Sequence, residues 1–413
     1  MDDLIPANHP ARVVVKVVET LDLSGFGENI KAREGVAGRD TTDPGLLVAL
    51  WLYGCIRGVG AARELARRCK EVVPFRWLCG GVSVSHRVLS EFRTGHGDAL
   101  DNLFAQIVTV LVDKGVVKVS RISQDGTRVR VGAGAASFRS EARLQQLLAE
   151  VQQHIAELKK QVEEPVFGEK QKADRAAQQL RRAQDRMERL QQALAQIPDI
   201  KQHLEEAAKK AGNGKSGEKI RNKTPRASTT DAEARVMKMA NGGFNPAVNV
   251  QLATDTESRA IVGVEVSQEG SDSANLSAPM RQQVEERTGG KVEQHLIDGG
   301  YLKLEDIEKA HEQGVELYVP PKPARNENKK GHELDLKPGD SDAIKAWKQR
   351  MGSDAGKEVY KQRGSTSETV NADLRHNRGL QQIAVRGIAK ATCVVLWCAI
   401  AYNFVHFWSE LLS

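Results

Sequence analysis

Glu358-Val-Tyr-Lys-Gln-Arg-Gly-Ser-Thr-Ser-Glu-Thr-Val-Asn-Ala-Asp-Leu-Arg-His-Asn-Arg378 decides how the rest of the chain is read. It has few helix breakers and reads as one helix, interrupted at most near Gly364. Tyr360, Arg363, Glu368, Asn371 and Arg375 recur at intervals of three to five residues, so they fall on one side of that helix. One carboxylate flanked by a tyrosine, two arginines and an asparagine is an odd choice for a solvated face. It makes sense where the acid holds a cation and its neighbours hold phosphates.

Two further acids then matter. Val116 to Thr127 reads as a strand ending in Asp125-Gly126, and Val292 to Tyr301 as another ending in Asp298-Gly299. Taken singly, an Asp-Gly pair after a strand is a turn former. Their order gives them more weight. The chain reads as strand (116–127), a long insertion, strand (246–254), strand (259–267), helix (277–288), strand (292–298), helix (303–313), strand (315–320), a charged excursion (322–356) and the Glu368 helix. A hairpin followed by strand-helix-strand crossovers gives an α/β fold, a mixed sheet with flanking helices. If the first and fourth strands are parallel neighbours, Asp125 and Asp298 emerge at one sheet edge, and a helix over that edge can set Glu368 opposite them. Converging carboxylates repel one another unless a cation sits between them. Oxygen-only ligands suit Mg2+ or Mn2+, and two such ions about 4 Å apart can drive phosphodiester cleavage. Asp231 and Asp255 are the other acids near strands; Asp255 fits the turn of the 246–267 hairpin.

The chain has 413 residues, 40% of them apolar, enough for two or three domains with real cores. A net charge of +6 is compatible with nucleic acid without demanding it. The five cysteines form no CxxC pair, and Cys69, Cys79 and His86 have poor zinc spacing, so buried thiols in a reducing compartment are expected. The acidic start, Met1-Asp-Asp-Leu-Ile-Pro6, lacks a signal-peptide pattern. Ala391 to Phe407 is strongly apolar but carries Asn403 and His406, and reads as a buried core helix rather than a membrane span.

Residues 1–115 read as an all-helical N-terminal domain. Its arginines between Arg57 and Arg93 are either DNA contacts or a solvated face. From 138 to 211, Leu144, Leu148, Val151, Ile155 and Leu158 and then Leu180, Met187, Leu190 and Leu194 form apolar stripes, with a break at 164–168. That pattern is a helical hairpin inserted into the sheet domain. Gly212 to Ser228 reads as a flexible basic linker. No Walker-type phosphate loop is present.

The combination Asp125-Gly-Thr-Arg-Val-Arg130, Asp298-Gly-Gly-Tyr301 and Tyr360-x-x-Arg363 followed by Glu368 and Arg375 resembles the DDE transposases of bacterial insertion sequences, in the group with a tyrosine-arginine-glutamate-lysine signature. Phe75-Arg-Trp-Leu78 with Phe92-Arg93, and Gly242-Gly-Phe244 before Asn249-Val-Gln251, extend the likeness over nearly the whole chain. Two departures stand out: four residues separate Arg363 from Glu368 where the signature has three, and Arg375 replaces the lysine. The first leaves Glu358 as a rival third acid; the second exchanges a point charge for a fork. The resemblance implies a ribonuclease H-like catalytic domain split into 116–137 and 228–413 around the 138–227 insertion and linker. It implies Asp125, Asp298 and Glu368 as ligands of two Mg2+ ions, with Mn2+ as a substitute. It further implies DNA contacts from Arg128, Arg130, Tyr360, Arg363, Asn371 and Arg375. Partners would be double-stranded DNA (element ends and target) and a second copy in a homodimer, in the cytoplasm on nucleoid DNA. Two alternatives stay open: a metal-dependent nuclease without strand transfer, and a non-catalytic DNA-binding protein.

Overall fold

The computed structural model describes residues 2–27, 42–163, 170–270, 277–323 and 331–412. Packing divides the chain into two units, one of Met1–Val129, Asn249–Ile383 and Ile388–Ser413, the other of Arg130–Val248 with Ala384–Gly387.

The first unit starts with helices α1 (Pro10–Val18), α2 (Pro44–Ile56), α3 (Ala62–Glu71), α4 (Val73–Leu78), α5 (His86–Gly95) and α6 (Gly97–Asp113). Prolines in the first turn and Asp43 capping α2 start these helices where their free N–H groups cost least. Strand β1 (Arg121–Val131) follows. It does not end at Asp125, as the Asp-Gly pair suggests. Gly126 keeps a negative φ, and Thr127 and Val129 are buried beyond it, so the β-branched residues carry the strand on and Asp125 sits in mid-strand.

After the insertion, β5 (Phe244–Asp255) and β6 (Ile261–Ser267) form the expected antiparallel hairpin. Asp255 is buried in its turn, where one carboxylate oxygen accepts from the Ser258 N–H at 2.8 Å and its hydroxyl at 2.6 Å. Helix α11 (Ser277–Thr288), β7 (Gln294–Leu296), α12 (Leu304–Glu312), β8 (Glu316–Tyr318), α13 (Asp342–Gly352) and α14 (Asp354–His376) complete the alternation. The strands line up as β6-β5-β1-β7-β8, with β7 parallel to both β1 and β8. The fold is therefore α/β with a mixed sheet and many helices.

Helix α15 (Ile388–Leu412) is the hub of this unit and packs on α6, β6, α2, α5 and α1. Trp397, Tyr402 and Phe404 are buried along it. Among the described residues it is the one helix long and apolar enough to cross a membrane, and 72% of its most apolar window is buried inside the fold. Asn403, the polar residue that interrupts this run, is fully buried and mimics a neighbouring strand. Its amide oxygen accepts from the Ile261 N–H at 2.9 Å and its amide nitrogen donates to the Ile261 carbonyl at 2.8 Å. In the helical region, Arg93 is also buried: it lies 4.7 Å over the Trp51 ring and donates to the Gly60 carbonyl, and so is not a surface cation.

The second unit holds β2 (Phe138–Ser140), α7 (Glu141–Glu163), α8 (Lys170–Ala195), α9 (Ile197–Ala211), α10 (Lys215–Arg221), β3 (Arg226–Ser228) and β4 (Arg235–Lys238). Its core joins Leu144, Val151, Ile155 and Leu158 to Leu190, Ala193, Ile197 and Ala227, the stripes visible in the sequence. The 164–168 break lies outside the described residues. The 212–228 stretch is not a linker. Gly212 turns the chain at φ 72°, α10 follows, and β3 pairs antiparallel with β2. A Cβ on Gly217 would lie 1.9 Å from the Gly212 carbonyl oxygen, so the turn is built on a backbone approach that only glycine permits.

Candidate active site

Parallel pairing of β1 with β7 sets Ser123 opposite Leu296. Two residues further along stand Asp125, still within β1, and Asp298, just past the end of β7. Ser123, Asp125 and Thr127 share one face of β1. Helix α14 lies across that face, capped by Ser353, whose hydroxyl accepts the Gly356 N–H at 3.0 Å.

The contacts across this interface are specific. The Ser123 and Ser367 hydroxyls are 2.6 Å apart, both buried. Arg363 Nη2 donates to Asp125 Oδ1 at 2.9 Å, and Asn371 Nδ2 to Asp125 Oδ2 at 3.0 Å. Arg363 Nη2 is also 3.9 Å from Asp298 Oδ1, so one guanidinium faces both carboxylates. Arg375 Nη2 donates to the Thr127 hydroxyl and, at 3.2 Å, to the Arg128 carbonyl. Tyr360 is half-buried against the cluster around Leu296, Tyr301 and Tyr318.

The electrostatics follow the geometry. Burial works against the charge on Arg363, but Asp125, Tyr360, Asp298 and Tyr301 together outweigh it and hold the guanidinium above its ordinary range. Burial pushes the Tyr360 phenol up to about 12, reduced by Arg363 and reinforced by Asp298 and Asp125, so it stays a hydrogen-bond donor at neutral pH.

Of the residues singled out from the sequence, the fold thus brings together Asp125, Asp298, Tyr360, Arg363, Asn371 and Arg375, with Arg128 engaged through its backbone. Glu368 lies on an exposed flank of α14, and Arg130 is exposed in the second unit. The rival Glu358 is exposed and paired with Lys361. Asp231, in the second unit, is buried and accepts from the Glu233 and Gly387 N–H groups, a positioning role. Among the described residues, no three Asp, Glu, His or Cys side chains lie close enough together to form a metal cluster. The two aspartates nevertheless fit a hard cation. Both are oxygen donors, and both turn toward the same positive group.

Sequence reading missed a buried polar layer behind the acids. Gln251 Oε1 accepts from Gln124 Nε2 at 3.0 Å and from the Tyr301 hydroxyl, tying the strand that carries Asp125 to the turn that follows Asp298. Glutamines in the middle of apolar strand runs were the available signal. His295 was missed too. It is fully buried beside Arg281, whose Nη1 lies 3.5 Å from Nδ1, and burial followed by that positive charge holds it well below its ordinary pKa. Folded His295 therefore stays neutral where the unfolded chain takes up a proton. The stability it contributes is full above the unfolded value near 6.5 and is lost as pH falls below it. Urea unfolding between about pH 7.5 and about pH 5.5 should show about 1.4 kcal/mol more loss for the wild type than for His295→Gln. Equal losses would remove His295 as the cause.

Two families match the chain: a transposase domain (DUF772) over residues 1–95 and a transposase DDE domain over residues 320–408. No curated protein and no solved structure matches it.

Proposed function

We propose, for a chain whose two matched segments support an insertion-sequence DDE transposase, that Asp125, Asp298 and Glu368 form the catalytic centre of DNA cleavage and strand transfer. A DDE transposase domain implies a transposition enzyme with a DNA substrate, and such domains generally use a divalent metal. The finer reading is a ribonuclease H-like polynucleotidyl transferase, supported by the mixed sheet with β1 and β7 parallel neighbours and by Asp125 and Asp298 standing where those strands lead. The observation that carries it is the convergence of these two carboxylates on one cationic group, Arg363 Nη2.

Asp125 and Asp298 would hold the divalent ion, Mg2+ with Mn2+ able to replace it, and Glu368, exposed on α14 and apart from the two aspartates, would have to turn in to complete a two-ion site. Bound there, the ions would activate the attacking hydroxyl and stabilise the leaving oxygen. Everything else falls to the chain's own side chains. Asn371 fixes the Asp125 carboxylate, and the Gln124–Gln251–Tyr301 layer fixes its strand. Arg363, bonded to Asp125 here, carries a planar fork that would suit a DNA phosphate as well as the two acids. Tyr360, as a neutral phenol, can donate to a phosphate oxygen, and Arg128, Asn371 and Arg375 would add charge and donors beside it, while Arg130, in the second unit, would be a separate DNA contact. A homodimer working on paired element ends, in the cytoplasm on nucleoid DNA, completes the reading.

The test is direct. Purified protein with Mg2+ and DNA carrying the inverted repeats that flank its gene should nick at the repeat ends and join them to a second duplex. Nicking without joining would favour a nuclease. Binding with neither would leave a DNA-binding protein.

A further inference from the structure

The second unit contains a cationic cavity that the catalytic reading does not use. Its volume is about 210 Å3. Leu147 and Leu190 belong to its apolar wall, and its polar lining is Arg186, Arg189, Arg386, Thr229 and Thr230. Arg186 and Arg189 stand one turn apart on α8, and among the described residues no carboxylate lines the cavity. Arg189 is half-buried and Arg186 and Arg386 are exposed, so water screens part of the repulsion among the three guanidinium groups, and an anion between them would offset the rest. Acidic neighbours are at hand in the sequence, Asp185 and Glu188, yet among the described residues none of the three arginines has an ion pair or hydrogen bond. The Thr230 hydroxyl is likewise without a partner among the described residues.

Arg386 is also placed with care. The segment 384–387 is joined to this unit rather than to the flanking chain. Buried Asp231 accepts the Gly387 N–H at 3.3 Å, and Gly387 sits at φ 86°, where a Cβ would come within 2.9 Å of Glu233 Oε2.

We infer that this cavity binds one backbone phosphate of duplex DNA. The space is about seven waters' worth, at ~30 Å3 each, enough for a phosphodiester group and its hydration. Arginine forks and a threonine hydroxyl are the donors such a group takes. The choice of DNA over free phosphate rests on the transposase reading, which supplies the substrate.

Fluorescence anisotropy in EDTA, with no divalent metal, tests the site independently of catalysis. The triple variant Arg186→Gln, Arg189→Gln, Arg386→Gln should bind duplex about tenfold more weakly near 0.1 M salt, and its plot of log affinity against log salt should be shallower by about 0.9. The corresponding triple lysine variant, which keeps the charges, should hold the wild-type slope and controls for folding. An unchanged slope in the glutamine variant overturns the site. Calorimetry with inorganic phosphate is the second arm: loss of phosphate binding with an unchanged DNA slope would assign the cavity to free phosphate and overturn the DNA reading. Wild-type protein that binds no duplex at all would instead sink the transposase reading on which the choice rests.

Discussion

Asp125→Asn should abolish strand cleavage, by at least about 10^3-fold, while leaving metal-free DNA binding intact. Asparagine keeps the shape and one acceptor but removes the charge that a divalent cation requires. Loss of a negative charge beside Arg363 cannot weaken attraction to phosphates, so binding should hold or tighten slightly. The side chain is largely buried at 19% exposure, and its new amide N–H will face either Arg363 or Asn371, both donors. A stability cost of about 1–3 kcal/mol is therefore expected and should be measured beside activity, at a temperature where both proteins are folded. Cleavage at the wild-type rate would reject the catalytic centre and leave the non-catalytic alternative standing.

The largest effect on stability should come from Trp397→Ala. Trp397 has no exposed surface, lies with its ring 6.4 Å from that of Phe92, and donates its indole N–H to the Arg93 carbonyl at 3.2 Å. Truncation removes that bond and opens a cavity where α15 meets the N-terminal helices, at a cost of about 3–5 kcal/mol. Against a usual total of about 5–15 kcal/mol, that is enough to unfold much of the protein at modest urea concentration. A loss below about 1 kcal/mol in urea melts would mean that α15 is not the hub its packing indicates.

How much of this could be read in the chain differs by kind of interaction. The 3.6-residue stripe of the 141–195 helices and the alternation in β5 and β6 are local patterns, and they gave elements and order almost as observed. Asp125-Gly126 misled because the same pair serves a turn or a strand, and what decides is whether Thr127 and Val129 find a core beyond it. The 212–228 stretch misled for a related reason. Its glycines look flexible, yet Gly217 lets two backbone segments touch. Glu368 shows the limit of spacing arguments. It recurs with Arg363 and Asn371 along α14, yet those two bond Asp125 while Glu368 is exposed, because three-to-five-residue spacing covers a broad arc of a helix and does not say which part of that arc meets the sheet.

The amino-acid order by itself determined the long helices and the central strands and their order, and which acids, tyrosine and arginines could belong to one site. That is because side-chain periodicity is a property of neighbours a few residues apart. Only the folded chain decided that Arg363 stands between Asp125 and Asp298, that Gln251 joins Gln124 to Tyr301, and that Arg386 meets Arg186 and Arg189 at one cavity. These partners lie tens to hundreds of positions apart, and their meeting depends on strand register and helix docking, which no local pattern encodes.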